Sequence, residues 1–283
     1  MIRLSGHDRK ELAKSIKTDV DNACVEMFSE GYRDHLGASV IGEECNRRIV
    51  YAYRWMHKEQ FDGRMLRLFN RGHLEELRVA DWLKGAGITT YGVSRDGEQV
   101  RISGVEKHYG GSLDGVLKLP ITYGLDIPFL IEIKTHNLKS FNGLVKNGVR
   151  ISKPKHFIQM CCYADVYELA YGIYFGMCKN DDELHVEVLE MDWQVGKEHQ
   201  RKAQHAIHAI QLPPKIAASP VYQICGWCPM KGVCHLNEPV DVNCRSCANS
   251  MPVENGKWFC KQWNSNIPKS EIPKACGQWS EFK

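Results

Sequence analysis

Apolar residues recur at helical spacing through positions 8–29, where Leu12, Ile16, Val20, Cys24 and Met27 form one stripe, and this predicts an amphipathic helix. After a glycine-containing turn, Glu44–Lys58 reads as a second helix, and a third runs from about Leu66 to Lys84 and stops at Gly85-Ala86-Gly87. The period then falls to two. Glu98–Gly104, Tyr109–Leu119 and Pro128–Thr135 are predicted strands, parted by Gly, Pro and Asp. Helix returns over 154–168, followed by strands at Tyr171–Cys178 and Leu184–Met191 and a polar helix at Gly196–Gln211. Leu212-Pro-Pro-Lys-Ile-Ala-Ala-Ser-Pro220 is a linker by composition. Beyond it periodic apolar segments are scarce while Cys, Pro, Asn and Trp rise, so this piece cannot close a core by burial alone and needs a staple. The expected fold class is α/β: a central mixed sheet flanked by helices over residues 1–239, with a small cysteine-rich module over 240–283.

Length and composition narrow this picture. At 283 residues the chain has room for one large domain and a small module. With 43 % hydrophobic and 25 % charged residues, wholesale disorder, collagen-like repeats and coiled coil are excluded. The longest apolar run, Leu169–Met177, falls far short of the roughly 20 residues that span a bilayer, and the charged N-terminal stretch lacks the apolar segment of a signal peptide. A cytoplasmic chain without a membrane partner is expected. The net charge of +3 permits a nucleic-acid partner without arguing for one. The twelve cysteines say more. In a reducing compartment disulfides do not persist, and seven of the twelve cluster between Cys225 and Cys276, which points to metal or redox chemistry.

The main chemical constellation lies on the predicted strands. Gly110-Gly-Ser-Leu-Asp114-Gly precedes Phe129-Leu-Ile-Glu132-Ile-Lys134-Thr, and alternation along a strand puts Glu132 and Lys134 on one face and Ile133 on the other. If the two strands pair, Asp114 reaches Glu132, and the two carboxylates with the Ile133 carbonyl offer hard oxygen ligands suited to Mg²⁺ or Mn²⁺. Such a metal polarises a phosphodiester and acidifies its bound water, while Lys134 orients that water or stabilises charge on the phosphate. A bare E-x-K is usually an exposed ion pair, but three neighbours add weight. Gln159 and Tyr163 lie four apart on one helical face. Arg71-Gly72-His73-Leu-Glu-Glu76 sets a carboxylate four residues after a glycine. Residues 135–164 carry Lys139, Lys146, Arg150, Lys153 and Lys155 and no Asp or Glu, a basic stretch that reads as a phosphate-tracking or simply solvated loop.

Taken together, Gly72-x-x-x-Glu76, Asp114, Glu132-x-Lys134 and Gln159-x-x-x-Tyr163 resemble the PD-(D/E)xK nuclease superfamily, in particular its RecB-like branch, over roughly residues 40–235. The resemblance implies metal-dependent DNA cleavage, with Asp114 and Glu132 as metal ligands, Lys134 as the catalytic lysine, and Gln159 and Tyr163 completing the site. RecB-like members usually carry His four residues after the glycine. Glutamate at that position looks more like lambda-type exonucleases, and the ligand of the first motif is either Glu76 or His73.

The cysteines fall into two sets. Cys225-Gly-Trp-Cys228-Pro-Met-Lys-Gly-Val-Cys234 places three thiolates within reach of one another, and Cys45 is the candidate for a fourth. One cysteine before the nuclease motifs and three after them resembles the iron–sulfur nucleases of the AddB and CRISPR-associated type. That likeness implies a 4Fe–4S cluster joining the two ends of the domain, with Zn²⁺ in the same thiolates as the alternative. Cys244-Arg-Ser-Cys247, Cys260 and Cys276, among Asn-, Gly- and Pro-rich turns, read as a zinc-ribbon-like Zn²⁺ site.

The expected function is a Mg²⁺- or Mn²⁺-dependent exonuclease serving DNA recombination or repair, acting on single-stranded DNA or free DNA ends. A helicase or recombination protein is the candidate partner. A restriction-type or structure-specific endonuclease and a catalytically silent DNA-binding scaffold are the alternatives.

Overall fold

The computed structural model describes residues 5–92 and 99–283; the predicted strand residue Glu98 lies outside them. The chain opens with α1 (Gly6–Phe28), started by a capping box in which the Ser5 hydroxyl accepts from the Asp8 N–H and the Asp8 carboxylate accepts from the Ser5 N–H. Short elements follow: β1 (Leu36–Gly37), α2 (Ala38–Ile41) and α3 (Asn46–Tyr53). The long helix α4 (Gly63–Gly85) then packs along α1, and the two backbones meet at Gly63. A Cβ there would lie 2.4 Å from the Asp21 carbonyl oxygen, so only glycine permits this crossing.

Next come β2 (Thr89–Tyr91), β3 (Arg101–Gly104), β4 (Tyr109–Ser112), β5 (Gly115–Lys118) and the long β6 (Pro128–His136). Helices α5 (Leu138–Ser152) and α6 (Pro154–Tyr167) lead to β7 (Tyr171–Cys178), β8 (Leu184–Glu190) and α7 (Trp193–Ile207). The central sheet is mixed, with order β2-β5-β6-β7-β8; β6 and β7 run parallel and the other pairs antiparallel. Strands β1, β4 and β3 form a smaller second sheet.

Alternation along β6 divides the molecule. Phe129, Ile131 and Ile133 join Leu117, Ile173, Phe175 and Met177 in an apolar layer capped by Val79 and Leu83 of α4. Leu130 faces the opposite layer, with Leu144 of α5 and Met160 and Tyr163 of α6. Glu132, Lys134 and His136 share that second face with Leu130, so polar groups enter the sheet where α5 and α6 cover it.

Past α7 the chain forms two short helices, α8 (Gln223–Gly226) and α9 (Lys231–His235), and a three-stranded antiparallel sheet, β9 (Ser250–Val253), β10 (Lys257–Cys260) and β11 (Ser265–Ile267). This last sheet does not stand alone. Trp258 of β10, Ile272 and Phe282 belong to the same buried cluster as Tyr53 and Trp55. Burying a side chain as large as Trp258 is worth about 2–3 kcal/mol, so apolar burial does contribute here. Arg54 and Arg245 are also buried in this seam, at 2 % and 1 % exposed; Arg245 stacks over Tyr53, Trp55 and Trp258 and donates to the carbonyls of Arg33 and Asp34.

Two local expectations are corrected. The predicted strand Tyr109–Leu119 is two strands in two sheets, β4 and β5, broken at Leu113-Asp114. The basic stretch after β6 is helical, because Phe141, Leu144 and Val149 supply an inward stripe and the Asn137 side chain caps the start by accepting from the Ser140 N–H. A left-handed Gly148 (φ 72°) near its end breaks the pattern that would have disclosed it. The C-terminal strands pair although none exceeds four residues.

Candidate active site

Asp114 occupies the break between β4 and β5, where the chain leaves one sheet for the other. Its Oδ2 accepts from the Ile133 N–H at 2.8 Å and from the Lys134 Nζ at 3.0 Å. The same ammonium lies 2.6 Å from Glu132 Oε1 and donates to the Ile133 carbonyl at 3.1 Å. Lys134 is therefore the point on which both carboxylates and the Ile133 carbonyl converge.

Glu132 is fully buried, and neither of its oxygens has a well-oriented hydrogen-bond donor. Burial drives its pKa well up; Lys134 opposes this, while Asp114 and Glu76 add to it. For Lys134 burial acts to lower the pKa, but the charges of Asp114 and Glu132 outweigh it and hold the ammonium well above its usual range. The lysine is a fixed cation at neutral pH.

The supporting residues of the sequence pattern gather at this place. Gln159 and Tyr163, both buried on α6, are joined by an Nε2–H···Oη bond of 3.2 Å, and the Glu132 charge helps to raise the Tyr163 pKa, after burial. The Tyr163 hydroxyl reaches in because position 111 has no side chain: a Cβ on Gly111 would come within 2.6 Å of it. On α4 the two adjacent glutamates part company. Glu75 is buried against Arg78 at 2.8 Å and Arg71 at 3.8 Å. Glu76 instead contacts His73 at 3.7 Å and raises its pKa, and both residues act electrostatically on the carboxylate pair, Glu76 at Glu132 and His73 through Asp114.

Sequence reading assigned no role to a polar chain beside the site. His136 Nε2 and His156 Nδ1 both bond the Tyr174 hydroxyl, at 3.0 and 2.8 Å, and the three rings stack. His136 Nδ1 meets Ser140 Oγ at 3.2 Å, which in turn accepts from Lys153 Nζ at 2.7 Å. Burial, then the nearby lysines, pushes His136 down to about 4 and His156 down to about 3. The signal was present: His136 stands two residues after Lys134, on the same strand face.

The basic residues of α5 and α6 have unequal freedom. Arg150 donates to the Glu190 carbonyl and stacks over Phe157, and Lys155 is tied to Glu43 at 2.8 Å. Lys139 and Lys146 are exposed, while Lys153 turns toward Ser140 and His136.

Each cysteine set lines a cavity of its own. Cys45, the N-cap of α3, faces Cys225, Cys228 and Cys234 across one of them, with Arg47, Arg48 and Tyr51 beside it. Cys244, Cys247, Cys260 and Cys276 line a second, of about 180 Å³, together with Trp263 and Trp279. Among the described residues no three His, Cys, Asp or Glu side chains converge in a geometry that would hold a single metal ion. Among them, too, no helix is long and apolar enough to cross a membrane.

No protein-family profile matches the chain, and no curated protein sequence does. Solved structures that it is similar to include SSO0001, at 16 % identity over 77 % of this chain and 96 % of that one, with a TM-score of 0.45. The alkaline exonuclease LHK-Exo from Laribacter hongkongensis, also solved in complex with dAMP, is similar at 16 % identity over 66 % of this chain and 89 % of its own, with a TM-score of 0.44.

Proposed function

We propose that the chain is a divalent-metal-dependent deoxyribonuclease, an exonuclease that hydrolyses phosphodiester bonds at free DNA ends. One observation carries this reading: a fully buried glutamate whose oxygens lack oriented donors stands beside Asp114 and a permanently charged lysine. A buried carboxylate left in that condition costs several kcal/mol, an expense tolerated at functional sites and relieved by a cation.

The donor set fits Mg²⁺ or Mn²⁺: Asp114, Glu132, the Ile133 carbonyl and Glu76 offer oxygens only. Such a cation supplies Lewis acidity toward the phosphate and an acidified water. The rest belongs to the chain. Because Lys134 stays protonated, its part is to donate to the attacking water or to the phosphate oxygens that gain charge, not to abstract a proton. Gln159 and Tyr163 hold the α6 side of the site and turn donors toward the substrate. Lys153, anchored on Ser140 beside the site, is the basic residue of this segment proposed to meet a neighbouring phosphate.

Cys45, Cys225, Cys228 and Cys234 are proposed to hold a 4Fe–4S cluster, since four thiolates from both ends of residues 1–239 border one cavity. Zinc in the same thiolates is the competing occupant, distinguished by a broad iron–thiolate absorption in anaerobically purified protein. The activity is tested with end-labelled single- and double-stranded DNA, linear and circular, with Mg²⁺, Mn²⁺ or EDTA. Degradation of linear DNA alone, abolished by EDTA, supports the exonuclease. Cutting of closed circles would instead make it an endonuclease, and binding without cleavage would leave a DNA-binding scaffold.

A further inference from the structure

Arg54 has no part in the chemistry above, yet it is one of the most buried charges in the molecule. It follows α3 and sends its donors to the carbonyls of Arg245, Cys247 and Ser250, at 3.1, 3.3 and 3.4 Å, while its Nε has no partner. Its guanidinium lies 3.5 Å from the centre of the Phe282 ring. Among the described residues no carboxylate pairs with it; the ionisable groups that face it are Tyr53, the thiol of Cys247 and a second buried cation, Arg245. A buried cation with no anion beside it is held here by carbonyls and rings alone, which leaves this corner short of negative charge.

The second cysteine cavity borders the same place. Its four thiols come from three separate segments: Cys244 and Cys247 from the bend before β9, Cys260 from the end of β10, and Cys276 from the exposed C-terminal turn. Binding by four thiols follows Zn²⁺ + 4 RSH → [Zn(SR)₄]²⁻ + 4 H⁺, the protons passing to solvent, and leaves a centre of net charge −2. We propose that Cys244, Cys247, Cys260 and Cys276, which line one cavity, draw together on one Zn²⁺, with Cys276 moving in from the surface, and that Arg54 is the buried counter-charge of that centre. The proposal is independent of the nuclease reading. It explains why an arginine, and not an apolar residue, fills a pocket of aromatic rings and carbonyls.

The test uses the full chain purified with zinc. Elemental analysis should find one zinc fewer per chain in Cys260→Ser/Cys276→Ser than in the unsubstituted protein, with the metal at the Cys45 set unchanged. Should that variant fail to fold, mass-spectrometric alkylation of the unsubstituted protein replaces it: zinc should protect Cys244, Cys247, Cys260 and Cys276, and EDTA should expose them. For Arg54, competition with a chromophoric zinc chelator should show at least a tenfold loss of affinity in Arg54→Met and recovery in Arg54→Lys. A merely structural arginine would lower the melting temperature equally with and without zinc and leave the affinity alone. Equal zinc in the cysteine variant, iron at these thiols, unprotected thiols in the zinc-loaded protein, or unchanged affinity in Arg54→Met would each overturn the assignment.

Discussion

The carboxylate–lysine cluster and the cysteine cavities are built in opposite ways. Glu132 and Lys134 stand on β6, whose ladder with β7 runs from Phe129 to His136, and Asp114, in the break before β5, is tied to β6 by the Ile133 N–H. The cysteines sit on bends, four-residue strands and helices of four or five residues, which carry little order of their own. The first site is preorganised by the sheet at the expense of a buried charge. The second kind is a set of segments that a ligand would have to hold. Removing a side chain from the first should cost chemistry and spare the fold, and removing one from the second should do the reverse.

The widest separation is expected from Cys45→Ser. Cys45 and Cys225 lie about 180 positions apart, and a link across such a loop, by analogy with a disulfide, restrains the unfolded chain by about 4–5 kcal/mol. Urea unfolding of anaerobic protein should show a loss of that order, and full stability would remove the staple from the account. Glu132→Gln is the converse. Cleavage of labelled DNA should drop about a thousandfold, near 4 kcal/mol of transition-state stabilisation, while the melting temperature holds or rises because the buried charge is gone. Substantial residual cleavage with Mg²⁺ would refute the proposed role of this carboxylate.

A smaller effect concerns pH. His136 and His156 titrate near 4 and 3 in the folded chain, below the ordinary 6.5, so the unfolded chain takes up protons that the folded one refuses. Their contribution is complete above about pH 6.5 and is lost as pH falls toward those values, by up to about 1.4 kcal/mol per pH unit for each histidine. Urea midpoints from pH 4.5 to 7.5 should show the slope, and His136→Asn with His156→Gln should flatten it. The smallest effect separates neighbouring cations. Lys153→Gln should reduce the salt dependence of DNA binding by about 0.7–0.9 in log–log slope, one phosphate contact, whereas Arg150→Gln should leave it unchanged.

How much could be read beforehand follows the same division. The strands of residues 128–136 and 171–178 were legible because buried strands write long apolar runs, and Glu132 and Lys134 stood out against that background. Asp114 was legible as a residue but not in its setting: the apolar pattern runs through it, while the chain changes sheets there. Helix α5 escaped because Gly143 and Gly148 interrupt it and its lysines resemble those of a solvated loop. The β9–β11 sheet escaped because its strands are too short to establish a period, their place being set by Trp258 packing on residues 53–55.

The proposed closure of Cys45 on its three cavity partners would also set an order of events during synthesis. At roughly 5–20 residues per second, the ribosome needs about 10–40 s to pass from the first thiol to the last three. Throughout that interval Cys45 would lack its partners, although Asp114 and the strand carrying Glu132 and Lys134 emerge before them. A chain released early, or arrested before Cys225, would carry every carboxylate of the site and none of the closure proposed at Cys45.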